Sequence, residues 1–435
     1  MTPAAVPARH TKPLFAGVLV VAGLVQLALF AYSTAPGLAG TSDSRLYLHA
    51  AQTLRNTGQL LNPDGTPYRY WPPLYPVLLR CCNSLPGIQL LHGTCLLGSL
   101  LLWSWLGQQL LPMRRALVLP TLLAMSTPWL LVSKFVWSES VFVLLFAAYA
   151  AMLWQWVRAA RGSWWGLATA VGLLLPLQRT LGLFLLAGVG LGLLLSEWRR
   201  LSAGQRWKWA LHLGLSVTGG VLWQWYALHA GPSRYHPSRG LGQLLNSTAD
   251  YGFVLGRWLL LLPASGRNLL PDLVWAGVLL VLFGWLWPRR SAARKQDTDS
   301  TPPYDVPLAT VEAATATRLL PIFNQTAMLR LLWGACVVLV ALVAGLTVFA
   351  QSAAGIHDAE RYASVLFGPV LLLVLAAWPA WAPRWLNVTS VGVVLIFAAV
   401  RIGHVAHDLR RVPPLSPASF SQPTPHGKLV RAVGE

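Results

Sequence analysis

The sequence predicts an all-α protein, a polytopic membrane helix bundle of about 11 transmembrane helices with interfacial helices in the first outer loop. Three observations carry that prediction. Only 11% of the 435 residues are charged and 55% are hydrophobic. Soluble domains carry about 25% charged residues, so this chain lacks the polar surface to cover a water-facing globule. Apolar runs of roughly 20 residues recur, the length that crosses a hydrocarbon core as helix. The chain also has 22 Trp, a residue enriched at membrane–water interfaces.

The elements follow in order. The first run, 14–36, is too long for a signal-peptide core and shows no small-residue cleavage site, so it reads as a retained span. The interval 37–85 is the first outer loop, with two interfacial helices. Ser42 or Asp43 can cap a helix that starts at Ser44. Leu46, Tyr47, Ala50, Ala51 and Leu54 form an apolar stripe at helical spacing, and Gly58 ends it. Pro72 and Pro73 can open a second helix, ended by Pro86-Gly87. Spans follow near 86–111, 116–133, 139–157, 164–178, 180–196 and 209–229, with Pro176, Gln178 and Arg179 interrupting the fourth and fifth of these. A second outer interval, 230–267, carries Arg234, Tyr235, His236, Arg239, Asp250, Arg257 and Arg267. After a span near 268–287, the Pro- and Thr-rich interval 288–326 reads as a flexible cytoplasmic linker. Spans near 327–350, 362–380 and 385–402 complete one integral-membrane domain, 1–402, and 403–435 reads as a poorly ordered tail.

The formal net charge of +19 is spread over short loops: Arg9 and Lys12, Arg114-Arg115, Arg158 with Arg161, Arg199-Arg200, Arg289-Arg290 and Arg384. Such alternation is a topology signal that places the N-terminus in the cytoplasm, and it argues against nucleic-acid binding, which needs the charge on one surface. An odd span count puts the C-terminal tail outside, although Arg410, Arg411, Lys428 and Arg431 make that tail basic. With this topology nine of the 14 acidic residues, among them Asp43, Glu139, Asp358 and Glu360, lie toward the outer face. A carboxylate near a bilayer is costly unless solvated or paired, so the tilt marks the outer face as the working surface. Cys81, Cys82, Cys95 and Cys336 have neither metal-ligand nor disulfide-framework spacing.

The outer-face motifs are Ser42-Asp43-Ser44 with Tyr47, Ala50, Leu54 and Gly58, then Pro72-Pro73-Leu74-Tyr75-Pro76, Trp137-Ser138-Glu139-Ser140, and Arg361-Tyr362. In this order they resemble the C-type glycosyltransferases of the membrane. The similar proteins are bacterial relatives of the dolichyl-phosphate-mannose protein mannosyltransferases (glycosyltransferase family 39) and the lipid A aminoarabinose transferase. Two departures stand out. Ser44 follows Asp43 where the mannosyltransferases often have a second acid, and no soluble outer domain of the kind some relatives carry is expected from these 435 residues.

The resemblance implies a hexosyltransferase-type enzyme of the bacterial plasma (inner) membrane. It would move a sugar from a polyprenyl-phosphate donor to a glycan, lipid or protein acceptor at the outer face, among membrane lipids and without nucleic acid. It marks Asp43 as the general base that takes the proton of the acceptor hydroxyl; the plain alternative is a helix cap. The leaving lipid phosphate needs a cation. Arg361, read as opening an outer helix end, is the first candidate, with Lys134, Arg179, Arg257 and Arg267 as further cations near the outer face, although Arg361 can instead pair with Asp358 or Glu360. Glu139 can position the acceptor, ligate a divalent cation (Mg or Mn) together with Asp43, or bind Lys134. No metal is assigned. Tyr47, Tyr75 and Tyr362 are substrate-loop candidates whose alternative is interfacial anchoring. A transporter or flippase of lipid-linked or small polar cargo is the rival reading, and it predicts ionisable residues in mid-span and broken helices.

Overall fold

The computed structural model describes residues 11–82, 84–230, 240–259, 262, 264–288, 324–346, 356–378 and 384–415. Its regular structure is helical, and its β pairings are two isolated bridges, Ala39 with Phe135 and Leu61 with Pro67. In hydrocarbon every backbone N–H and C=O needs an internal partner, and helix supplies one for each. The helices are α1 (Thr11–Thr34), α2 (Ser42–Thr57), α3 (Leu74–Arg80), α4 (Leu85–Leu110), α5 (Met113–Ala124), α6 (Thr127–Lys134), α7 (Glu139–Ala159) and α8 (Gly162–Gln178). They continue with α9 (Leu181–Ser196), α10 (Ala203–His229), α11 (Gly240–Leu259), α12 (Asp272–Trp285), α13 (Gln325–Leu346), α14 (Ile356–Ala363), α15 (Phe367–Ala377) and α16 (Arg384–Arg411). Each of the 11 predicted apolar runs overlaps helix within its described residues. Among the described residues 7 stretches are long and apolar enough to cross a membrane: Lys12–Thr34, Leu85–Leu110, Met113–Lys134, Glu139–Ala159, Gln325–Leu346, Asp358–Ala377 and Thr389–Arg411.

The boundaries differ from the prediction where side chains intervene. Thr41, not Ser42 or Asp43, is the N-cap of α2, and its backbone N–H donates to Ser44 Oγ at 3.0 Å. Asp43 therefore sits inside the first turn with its carboxylate directed elsewhere. Gly58 ends the helix as predicted, at φ 75°. The second loop helix stops at Arg80, and Pro86 belongs to the first turn of α4, capped by Ser84. The single run 116–133 is two helices, because Ser126 caps a new one by accepting from Trp129 N at 3.2 Å, and Pro128 in that first turn lacks the N–H that would continue the old one. The late span opens with α14, breaks into a 3₁₀ turn at Ser364–Leu366, and resumes as α15. In 230–267 the sequence reading missed α11, whose residues Leu244, Ser247, Tyr251, Val254, Leu255 and Trp258 recur at helical spacing. Gly252 lets it lie directly on Trp275 of α12. The last helix runs through 403–411, inside the predicted tail, since Ala406 and Leu409 are buried against the bundle. Residues 416–435 and 289–323, most of the predicted tail and linker, lie outside the described residues.

Helices α4 and α7 form the spine, with Trp103 meeting Phe146 edge-on at 5.5 Å. α1, α5 and α16 pack on one side and α8 and α10 on the other. The tightest pairing is α9 against α13. Gly188 and Gly192, four residues apart, meet Gly334, so the two backbones touch without intervening side chains. A Cβ on Gly192 would stand 2.5 Å from the Arg330 carbonyl oxygen and 2.9 Å from Leu331 Cα. Gly192→Leu is therefore expected to lower the thermal midpoint of the detergent-solubilised protein by several degrees, followed by tryptophan fluorescence. Gly214→Ala on α10, whose Cβ would meet nothing within 4 Å, should leave it unchanged or slightly raised.

Candidate functional site

Four chain segments far apart in sequence converge at one end of the bundle. Asp43 comes from the first turn of α2, Glu139 from the first residue of α7, Arg179 from the break between α8 and α9, and Arg361 from α14. The Arg361 guanidinium bridges the two acids: Nη1 donates to Asp43 Oδ2 at 2.7 Å and Nε donates to Glu139 Oε1. Arg179 Nη1 reaches the same Glu139 oxygen at 2.5 Å. Glu139 is wholly buried, the Arg361 and Arg179 side chains are each 8% exposed, and Asp43 is the open member at 18%. Two carboxylates and two guanidiniums balance to zero.

Local sequence explains each placement. Glu139 opens α7, where the helix dipole favours an anion. Pro176-Leu177-Gln178-Arg179 ends α8, and at Arg179 the backbone is extended. Gln178 Nε2 then donates to the Ser138 carbonyl at 2.8 Å and Arg179 Nη1 to Ser138 Oγ at 3.0 Å. The interruption visible in the sequence is thus the device that delivers Arg179. Trp137 lies flat beneath Arg361, 4.1 Å from guanidinium carbon to ring centroid, and its Nε1 donates to Thr41 Oγ1 at 2.8 Å. Tyr362 lies 5.4 Å beneath Arg179. The Tyr47 hydroxyl lies 3.3 Å from Ser138 Oγ. Burial pushes the Tyr47 hydroxyl well above its ordinary pKa, with Arg179 opposing, so it stays a neutral hydrogen-bonding group rather than a base.

Of the predicted residues, then, Asp43, Glu139, Arg361, Tyr47 and Tyr362 come together. Tyr75 does not share the centre. It is buried edge-on to Tyr47 at 5.0 Å, with its hydroxyl 2.9 Å from His92 Nε2, and it supports Tyr47 from behind. Lys134 is wholly buried, and its ammonium donates to the carbonyls of Ser33 at 3.0 Å and Gly37 at 2.8 Å. It pins the start of the first loop through these carbonyls, and the structure does not bring it to the Asp43 centre. It does not pair with Glu139. Arg361 sits in the last turn of α14, not at a helix start, and a cation there is favoured by the dipole. Glu139 and Asp43, the two acids named for a divalent cation, both contact guanidiniums in this structure. Among the described residues no group of three or more His, Cys, Asp or Glu is placed to hold a metal ion.

A second charged cluster adjoins the first. Glu360, beside Arg361 on α14, meets Arg257 of α11 at 3.0 Å and Arg401 of α16 at 3.5 Å. Arg401 lies inside the apolar stretch Thr389–Arg411, a charge within a span that the sequence reading did not single out.

No family model matches the sequence, and no curated protein matches it. Solved structures that share its fold include ArnT from Cupriavidus metallidurans bound to undecaprenyl phosphate, and ArnT from Cupriavidus metallidurans in the apo state. Each superposes with a TM-score of 0.54 at 15% identity, covering 88% of this chain and 63% of that chain. The chain therefore shares a polytopic membrane helical fold with ArnT and spans about 63% of the length of that protein.

Breaking a buried ion pair by removing one partner costs about 3–5 kcal/mol, because the other charge is left uncompensated. Glu139→Gln leaves Arg179 and Arg361 facing each other and is expected to cost about that much, measured by thermal unfolding in detergent. Asp43→Asn, at the open side, should cost clearly less in the same measurement.

Proposed function

We propose that the chain is a glycosyltransferase that moves a sugar from a polyprenyl-phosphate donor to an acceptor at the outer face of a bacterial plasma membrane, with Asp43 as general base. The observation that carries this reading is the contact of Asp43, Arg361 and Glu139, three residues marked independently by the sequence motifs and separated by up to 318 positions. The fold shared with ArnT, which has been seen with undecaprenyl phosphate bound, supports a lipid-phosphate donor. The alternating Lys and Arg loops support the outer face as the working side.

The chemistry follows from the geometry. Arg361 holds Oδ2 of Asp43, which leaves Oδ1 of this partly exposed carboxylate for the acceptor hydroxyl. As the acceptor oxygen bonds to the anomeric carbon, its proton passes to Asp43. The bond from that carbon to the phosphate oxygen breaks, and its electron pair leaves with the lipid phosphate. Glu139 does not touch the reaction in this scheme. It locks Arg361 and Arg179, and through Arg361 the orientation of Asp43. The first loop, 37–85, supplies the base, and the membrane helices supply the frame that holds it.

A panel of radiolabelled polyprenyl-phosphate sugars incubated with purified protein tests this reading. The expected result is release of polyprenyl phosphate by the wild type, reduced about 10²–10⁴-fold in Asp43→Asn, the usual contribution of a positioned proton acceptor. Full activity in that variant rejects Asp43 as the base. Passage of intact labelled lipid across a vesicle membrane without release would favour the transport reading.

A further inference from the structure

We infer that Arg257 and Arg401 form an oxyanion site, one residue along α14 from the Asp43 centre, that takes the phosphate of the lipid donor and keeps it after the sugar has left. The inference rests on the transferase reading above and identifies where the leaving group is held.

The charge balance separates the two clusters. Around Asp43 and Glu139 the charges cancel, and the two nitrogens of Arg361 nearest the acids are engaged. Around Glu360 the ion pairs among the described residues do not cancel: two guanidiniums face one carboxylate, an excess of +1 in that trio. The side chains of Arg257, Arg401 and Glu360 are only 13%, 11% and 9% exposed. An uncompensated cation so enclosed, in a segment apolar enough to span a membrane, is expensive without an anion.

Hydrogen-bond supply makes the same point independently. Each guanidinium carries five N–H groups. Glu360 Oε2 accepts from Arg257 Nη1, and the Arg257 carbonyl accepts from Arg401 Nη1. Arg257 Nε and Arg401 Nε are buried and have no hydrogen-bond acceptor among the described residues, and Arg401 Nη2 faces Glu360 Oε1 at 3.5 Å without a formed hydrogen bond. Buried donors are nearly always satisfied, so two guanidiniums with open N–H groups side by side call for an acceptor with several oxygens. A phosphate meets both demands. It brings the missing negative charge, and its non-bridging oxygens suit the planar fork of arginine.

Position fits the reaction. Glu360 and Arg361 are consecutive, yet Glu360 faces Arg257 and Arg401 while Arg361 faces Asp43 and Glu139. One turn of α14 thus carries a phosphate-binding face and a base-orienting face side by side. A glycosyl phosphate diester bears one negative charge, and cleavage adds charge to the leaving oxygen. A pre-formed net positive cluster stabilises that change more than it stabilises the bound donor.

The test uses the full-length protein in phosphatidylcholine nanodiscs, with polyprenyl phosphate as probe and the parent polyprenol and inorganic phosphate as comparisons. Binding is read by tryptophan fluorescence and by broadening of the probe's ³¹P resonance. Wild type should bind polyprenyl phosphate and not polyprenol. Loss of one charge-assisted pair should weaken binding about 10–100-fold in Arg257→Gln and in Arg401→Gln. Arg401→Lys should recover part of the loss, and Asp43→Asn should bind like wild type while failing to turn over. Size-exclusion and thermal profiles identify any variant that has lost its fold, in which case the lysine variant and the Arg257 variant carry the comparison. Wild-type affinity in folded Arg257→Gln and Arg401→Gln overturns the assignment, as does equal binding of polyprenol. Displacement of the lipid by inorganic phosphate at similar concentration would make the cluster a free-phosphate site and overturn the lipid assignment. Turnover that is normal in the arginine variants refutes this inference and leaves the transferase standing. Arginine-dependent binding without any turnover on sugar donors refutes the transferase and leaves the oxyanion site.

Discussion

The guanidinium of Arg361, held between Asp43 and Glu139, is the interaction on which this end of the molecule depends. It joins the first loop, the start of α7 and the short helix α14 at one point. Buried ion pairs are weak sources of net stability, because desolvation offsets most of the attraction. Their value is directional. Once Glu139 is wholly buried, its charge admits few arrangements, and each of them requires Arg361 and Arg179 to be where they are. The surrounding contacts serve that requirement: Trp137 forms a floor under Arg361, Thr41 holds Trp137, and Gln178 holds the backbone of Ser138.

Helix breaks are the other recurring device. α5 gives way to α6 at Ser126, α8 to α9 at Arg179, and α14 to α15 through a 3₁₀ turn. Non-helical backbone at membrane depth is tolerated only where protein or water satisfies it. At the first and third of these breaks a side chain does so: Ser126 accepts from Trp129 N, and Trp129 Nε1 donates to the Ser364 carbonyl at 3.0 Å; at the second the backbone pairs with itself, the Gly182 N–H donating to the Arg179 carbonyl, while Gln178 reaches across to the Ser138 carbonyl. Breaks and charges coincide because a charged side chain and an opened helix both need polar partners, and one set of partners serves both. A purely transporting protein would also use broken helices. Here two of them converge on a balanced acid–base centre instead of lying in two matched halves.

Much of this architecture was legible in the chain. Each of the 11 apolar runs of membrane length overlaps helix within its described residues, since in hydrocarbon the backbone has no alternative to helix. The loop acid, the acid opening α7 and the Arg-Tyr pair could be marked because charges are rare enough in such a sequence to be conspicuous. Other readings went astray for local reasons. Lys134 looked like a free cation, but carbonyl acceptors from Ser33 and Gly37 consume it, and carbonyls leave no trace in a sequence. Helix α11 was overlooked because the charged residues of 230–267 suggested a loop, while its apolar face is satisfied by distant elements, chiefly α12 and α14.

The sequence by itself determined that this is an all-α membrane bundle and which few ionisable groups are available for chemistry, because hydrophobic length and charge scarcity are local properties. Only the tertiary structure decided which charges meet. Arg361 pairs with residues 222 and 318 positions away and not with its neighbours Asp358 or Glu360, and Glu360 turns instead to Arg257 and Arg401. Ion pairing reaches only a few ångströms, so its partners are set by which helices pack side by side, and that is settled by the shape of their contacts, such as the glycine seam of α9 and α13.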